Sequence, residues 1–245
     1  MKDFLVDIVE HTQPLGLTLV KVTGDDQSTT VEAHSEDRKT LLLSATFHKP
    51  NAAFAGVFGM PNLQKLKTIL DIPEYKEDPE IKLNTRSENG VTKPAGIHFE
   101  NKKGDFQNDY RFMGDNLVTE MVKGVKFKGQ QPNWHITMEP TASCISRLRF
   151  QANANSEESY FVARTVGTDL KFFFGDANSH AGSFVFQSAV SGVMKNNWAW
   201  PVSVLQGILA LQGDKVMQFS DDGMLKVIVD SGLIVYEYLL PAQTK

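Results

Sequence analysis

The chain has 245 residues, a formal net charge of −4 at pH 7, 41% hydrophobic residues and 22% charged residues. This composition supplies a core for one large domain or for two domains of about 120 residues each, and it argues against a disordered chain. No apolar run approaches the roughly 20 residues of a membrane span, and residues 1–4 lack the pattern of a signal peptide. A single cysteine, Cys144, excludes an internal disulfide. We therefore expect a cytoplasmic protein with no membrane partner.

Acidic residues are absent from two long stretches of this acidic chain. Residues 140–156 and residues 177–213 contain neither Asp nor Glu. One interpretation is a surface on which charged residues are sorted, with the acids kept away from part of it. The other is a neutral helix in the core that lacks acids by chance.

Four segments have the apolar spacing of helices, and three of them begin with a proline, which is favoured in the first helical turn. In the last of them, Val204, Leu205 and Ile208 share one face, and Gly213 marks the end. The predicted helices are 2–12, 61–71, 140–152 and 201–212.

Three predicted strands follow each helix. They cover residues 17–23, 29–35, 40–48, 80–86, 91–100, 106–112, 160–166, 170–175, 183–190, 216–220, 225–229 and 233–239. Tight hairpin turns are predicted at Asn89-Gly90, Asp222-Gly223 and Ser231-Gly232.

One unit, a helix followed by three antiparallel strands, therefore occurs four times along the chain. Two units form a domain, so we predict an N-terminal domain over 1–113, a connector over 114–131 and a C-terminal domain over 132–245. Helices that pack on antiparallel sheets give an α+β fold class.

No pattern in the sequence points to catalysis. The six histidines do not stand at metal-ligand spacing, and the acid pairs fall in predicted turns, where carboxylates bond their own backbone. No GxSxG, P-loop or GxGxxG motif is present. We expect no catalytic residue, no metal and no cofactor.

Three segments resemble the sliding clamps of DNA polymerases, above all those of T-even-type phages and more distantly the proliferating-cell nuclear antigen. They are 57–71 with 79–83, 184–213, and 233–242 with its Tyr-Leu-x-Pro ending. The resemblance implies the DNA clamp fold and a homotrimeric ring of six domains. It also implies a function: a processivity factor that encircles double-stranded DNA without reading its sequence. Such a clamp tethers the DNA polymerase and is loaded by an ATP-dependent clamp loader, here in the host cytoplasm if a phage encodes the chain.

The dimensions of such a ring suit a duplex. Its six domains would carry twelve helices, and helices of about 10 Å diameter laid side by side give a circumference of about 120 Å. Subtracting one helix diameter from the resulting circle leaves a hole of roughly 28 Å, which admits duplex DNA with a layer of water.

The resemblance also implies three sets of site residues. The DNA-facing residues are Lys65, Lys67, Arg147, Arg149, Gln64, Ser143 and Gln206. Edge strands 106–112 and 170–175 would form the subunit interface through Tyr110, Phe112, Phe172 and Phe174. A partner-peptide pocket would be lined by Val118, Met121, Val122, Tyr238, Leu239, Leu240 and Pro241.

Two other classes of function remain open at this point. One is an α+β hydrolase whose site is assembled from residues distant in sequence. The other is a β-rich viral structural or binding module, which predicts neither a ring nor a basic inner surface.

Overall fold

The structure is a computed structural model that describes residues 1–76, 78–88, 90–123, 132–176, 178 and 180–244. Its helices are α1 (Lys2–Thr12), α2 (Leu63–Leu70), α3 (Asp115–Met121), α4 (Ala142–Ala154) and α5 (Val202–Ala210). Its strands are β1 (Leu19–Gly24), β2 (Thr29–His34), β3 (Leu42–Phe47), β4 (Gly56–Pro61), β5 (Glu80–Glu88), β6 (Val91–Glu100), β7 (Gln107–Arg111), β8 (Ile136–Met138), β9 (Tyr160–Val166), β10 (Asp169–Phe174), β11 (Gly182–Gln187), β12 (Trp198–Pro201), β13 (Asp214–Ser220), β14 (Met224–Asp230), β15 (Ile234–Pro241) and β16 (Gln243–Thr244).

The chain divides into two compact units. The first contains residues 1–36, 43–125 and 231–236, and the second contains 37–42, 126–230 and 237–245. The same order of elements, one helix, four strands, a second helix and three strands, runs from α1 to β7 and again from α4 to β15. The predicted repeat is therefore present, with one more strand before each second helix.

In the first unit, the strand order is β4-β1-β2-β3 followed by the start of β15, and a separate sheet has the order β5-β6-β7. Helices α1 and α2 pack against each other. Their apolar faces are fully buried through Leu5, Ile8, Leu63 and Leu66. These residues have the i, i+3 spacing of one helical face, which explains why the two segments are helical and where they pack.

In the second unit, one sheet has the order β11-β10-β9-β12-β16 and strands β15-β14-β13-β8 are consecutive neighbours. Helices α4 and α5 pack against each other and bury Leu148, Leu205 and Ile208. Trp200 and Phe172 lie in the same core. The strand pairings in both units are antiparallel, so the prediction of an α+β class is confirmed.

The structure differs from the sequence prediction mainly at short strands. Strands β4, β8, β12 and β16 were not predicted, because two of them contain Gly or Pro and the other two have only two or three residues. Three helices also begin later than predicted, α5 by one residue and α2 and α4 by two. Asn62 and Thr141, which follow the prolines, cap α2 and α4 by accepting hydrogen bonds from backbone N–H groups three residues on. Residues 124–131 of the predicted connector and Asn89 of the predicted turn lie outside the described residues.

A buried polar cluster in the first unit joins α1 to residues 231–236. The carboxylate of Asp7 accepts hydrogen bonds from the Tyr236 hydroxyl at 2.7 Å and from the Ser231 hydroxyl at 3.0 Å. The His11 ring stacks on the Tyr236 ring with 4.4 Å between their centroids. A buried carboxylate is tolerated only when donors compensate its lost hydration, so this cluster fixes the position of the segment.

Candidate nucleic-acid interface

Helix α4 presents a broad exposed face that bears positive charge and no acid. Its buried side consists of Cys144, Leu148 and Ala152, so the opposite side faces solvent. The exposed residues are Ala142, Ser143, Ser146, Arg147, Arg149, Phe150, Asn153 and Ala154. On the neighbouring α5, Ser203 and Ala210 are exposed and Gln206 is half-buried.

The two arginines of α4 differ in their contacts. The guanidinium of Arg147 lies over the Phe184 ring of β11, 5.5 Å from its centroid, which orients the charge without neutralising it. Within the described ranges, Arg149 has no ion-pair partner. Both side chains are therefore available to an anion that approaches this face.

The helix face of the first unit is less positive. Gln64 and Lys65 of α2 are exposed, but Lys67 forms an ion pair with Asp71 whose N–O distance is 2.5 Å. Helix α1 exposes Asp3 and Glu10. Three carboxylates thus offset two lysines here, and the net positive face belongs to α4.

The first part of the predicted connector folds as α3 and packs on β4. Val118 and Val122 are buried, whereas Leu117 is 52% exposed and Met121 is 39% exposed. A Cβ atom added to Gly59 of β4 would lie 2.8 Å from Cγ2 of Val118, so the approach of α3 requires a glycine at this position.

Two polar contacts hold the ends of α3. Lys93 donates to Asp115 at 2.9 Å, and this hydrogen bond holds the pKa of the Asp115 carboxyl below its usual value. The His34 ring contacts the Met121 carbonyl at 3.0 Å. Next to Met121 lies a cavity of about 480 Å³ whose apolar lining includes Leu17, Leu19, Leu63 and Met113.

The C-terminal pocket residues are part of the second unit's core. Tyr238, Leu239 and Leu240 are buried, and Pro241 is half-buried. The Trp200 indole donates to the Leu240 carbonyl at 3.0 Å, and β16 pairs with β12 beyond it. The prediction that Leu240 lines an accessible pocket is therefore wrong, because Leu240 is fully buried: β15 extends through Pro241, and the core continues to that point.

The predicted subunit interface requires a correction. Strand β10 lies between β9 and β11, so it is not an edge, and Phe172 and Phe174 are buried core residues. Strand β7 does form an edge of its sheet. Its Tyr110 points inward, donating to the Pro61 carbonyl, and burial raises the pKa of the Tyr110 hydroxyl well above its usual value.

Phe112, which follows β7, also packs inward. Its ring stacks on Phe58 with 4.2 Å between centroids. The interface rings proposed from sequence thus serve the cores of their own units. The edge that sequence reasoning missed is β11, which contains no charged residue and pairs only with β10 among the strands described.

Other classes of site are not apparent in the part of the chain that the structure describes. It contains no group of three or more His, Cys, Asp or Glu that could hold a metal ion. It also contains no helix long and apolar enough to cross a membrane.

Comparison with known proteins identifies the fold. No protein-family model matches the sequence, and no curated protein matches it. A solved structure described as the C-terminal region of FEN-1 bound to A. fulgidus PCNA matches with a TM-score of 0.69 and 9% sequence identity, covering 100% of this chain and 97% of that one. The chain therefore has a clamp-like α+β fold, as the sequence resemblance predicted.

Proposed function

We propose that this protein is a sliding clamp, a non-catalytic ring of three copies that encircles double-stranded DNA and tethers a DNA polymerase. We further propose that an ATP-dependent clamp loader opens the ring and that the chain is of the T-even phage type. One observation supports this most strongly: a full-length clamp-like fold presents an acid-free helix face with two exposed arginines.

The internal repeat supports ring closure. When the repeat from α1 to β7 is aligned with the repeat from α4 to β15, β3 corresponds to β11 and β7 corresponds to β15. Strand β3 is covered by the start of β15, whereas β7 and β11 are free edges in the described structure. Pairing of β7 with β11 of another copy would repeat the β3–β15 junction head to tail, and such heterologous contacts generate rings when the rotation closes. It would also cover edges that otherwise invite aggregation.

The charge distribution supports weak, sequence-independent contact with the duplex. Arg147 and Arg149 on α4 and Lys65 on α2 are exposed on helices, and phosphate contacts of this kind carry no sequence information. A ring that slides needs few strong contacts. Because such binding releases counterions, its affinity falls steeply with salt.

Partner proteins require an apolar surface, and α3 provides the part of the predicted pocket that remains exposed. Leu117 and Met121, one helical turn apart, are exposed, and Met121 borders the cavity lined by Leu17 and Met113. Exposed apolar patches of this kind mark binding sites. We assign polymerase and loader contact to this surface, in place of the buried Leu239 and Leu240.

The solution mass of edge variants tests the ring. Light scattering is expected to give three times the 27.3 kDa chain mass for the wild type. Lysines on the β11 edge, in Ser183→Lys with Val185→Lys, are expected to give folded monomers, since edge charges block strand pairing. The matched control, Thr85→Lys with Ser87→Lys on the β5 edge, should remain trimeric. A wild type that is monomeric at every concentration contradicts the proposal.

A further inference from the structure

The most exposed large apolar side chain in the described structure is Phe150 of α4, with 70% of its surface accessible. It lies at the crest of the helix rather than at its margin. At 100° per residue, Leu148 lies about 160° away on the buried side. A phenyl ring this exposed and this far from the core contributes little to the packing of its own unit.

The neighbours of Phe150 on the exposed face are small and polar or positively charged. Helical geometry places Ser143 and Ser146 within about 40° of Phe150, Arg147 about 60° to one side and Arg149 about 100° to the other. No carboxylate occurs in residues 140–156. The ring is thus flanked by two guanidinium groups on a surface without negative charge.

This combination selects a nucleic acid with accessible bases over other partners. The arginines match phosphates in charge, whereas an exposed aromatic ring matches the flat face of a base. Duplex DNA hides its base faces within the stack, so a ring on a helix crest finds no such face there. Single strands expose bases between successive phosphates, and every base can stack on an aromatic ring.

We propose that the α4 face is a single-strand binding site in which a base stacks on Phe150 and Arg147 and Arg149 contact the flanking phosphates. This inference rests on the proposed function only in taking DNA to pass this face. It adds that the trimeric clamp distinguishes unpaired from paired DNA. The clamp would therefore be retained where a duplex continues as a single strand.

Fluorescence anisotropy with a labelled oligothymidylate and a duplex of equal length tests this proposal. Phe150→Ala should weaken binding to the single strand about fivefold to a hundredfold, the usual effect of losing one stacked base. The affinity of the Phe150→Ala variant for the duplex should change by less than about twofold, because the duplex offers no free base face to the phenyl ring. Phe150→Trp should restore single-strand binding, whereas Phe150→Leu, which is apolar but cannot stack, should not. The matched control, Lys65→Ala, should weaken binding to both ligands by similar factors, since phosphate contacts do not depend on base pairing.

Two results would overturn the proposal. One is equal single-strand affinity for Phe150→Ala and wild type. The other is a change in solution mass on Phe150→Ala with no change in DNA binding, which would make this face a protein contact. The proposed function can fail separately from this proposal. If the wild type is monomeric but Phe150→Ala still loses single-strand binding, only the trimeric clamp is refuted. If the wild type is a trimer and Phe150→Ala binds single strands as tightly as the wild type, only the stacking site is refuted.

Discussion

The packing of α3 on β4 depends on the absence of a side chain at Gly59. In Gly59→Ala, the added Cβ would lie 2.8 Å from Cγ2 of Val118 and 3.0 Å from Cβ of Met113. Gly59 and Met113 also exchange backbone hydrogen bonds of 2.9 and 2.8 Å, so the strand cannot retreat without breaking them. Overpacking of this kind typically costs about 1–3 kcal/mol.

A second substitution separates this contact from a general loss of stability. Val118 is fully buried, and Val118→Ala removes two methyl groups at about 0.8 kcal/mol each, plus a term for the cavity, which gives about 2 kcal/mol. In the double variant, the removed methyl group makes room for the new Cβ. The loss should therefore be smaller than the sum of the single losses by about 1 kcal/mol. The clash is relieved only in part, because Cβ of residue 118 would still lie 3.0 Å from the added Cβ of residue 59.

Urea denaturation of the four proteins in this cycle measures the coupling, and hydrogen exchange over residues 115–122 localises it to α3. As a control, Gly59→Ala combined with Val227→Ala, a buried valine of β14, should be additive. If the Gly59→Ala and Val118→Ala losses add without coupling, or if Gly59→Ala costs nothing, the account of this contact is wrong.

Three further predictions concern the two units. Deleting residues 240–245 removes the buried Leu240 and the pairing of β16, and should lower the melting temperature by at least about 5 °C in calorimetry; an unchanged value would show that Leu240 is dispensable. Tyr236→Phe withdraws a donor from the buried Asp7 carboxylate and should cost about 1–3 kcal/mol in urea denaturation, and an equal stability would remove that hydrogen bond from the account. The pKa of Asp115 is lowered from 3.8 by Lys93, so the stabilisation from this pair is complete above that value and is lost as the pH falls through the lowered pKa. The stability difference between wild type and Lys93→Met should accordingly shrink on acidification, and a constant difference would contradict this assignment.

Helical and strand periodicity predicted the order of elements because each apolar face is long enough to be recognised. The i, i+3 spacing of Leu5 and Ile8 and of Leu63 and Leu66 predicted α1 and α2. Strand β12 contains only Trp198–Pro201, and its pairing with β9 is a tertiary contact that local sequence does not encode. Such short strands complete the sheets. The wrong choice of β10 as an edge has a different reason, because the order β11-β10-β9 is also set by tertiary pairing that local sequence does not encode.

The exposed arginines of the candidate site follow from the periodicity of a single helix. The position of Leu240 depends on packing between strands and was not predicted. The arginines of α4 are exposed because the helix itself places them opposite Leu148. The same spacing places Phe150 on the exposed side, although a phenylalanine ring is more often found in a core. Leu240 was misplaced because the length of β15 is set by its partners Trp200 and β14, which are distant in sequence.

Electron micrographs of the purified protein, together with its solution mass, test the central claim most directly. The account predicts particles of three copies that form a closed ring with a central hole of roughly 28 Å, wide enough for a DNA duplex. Compact particles of any mass that lack a central hole would contradict it.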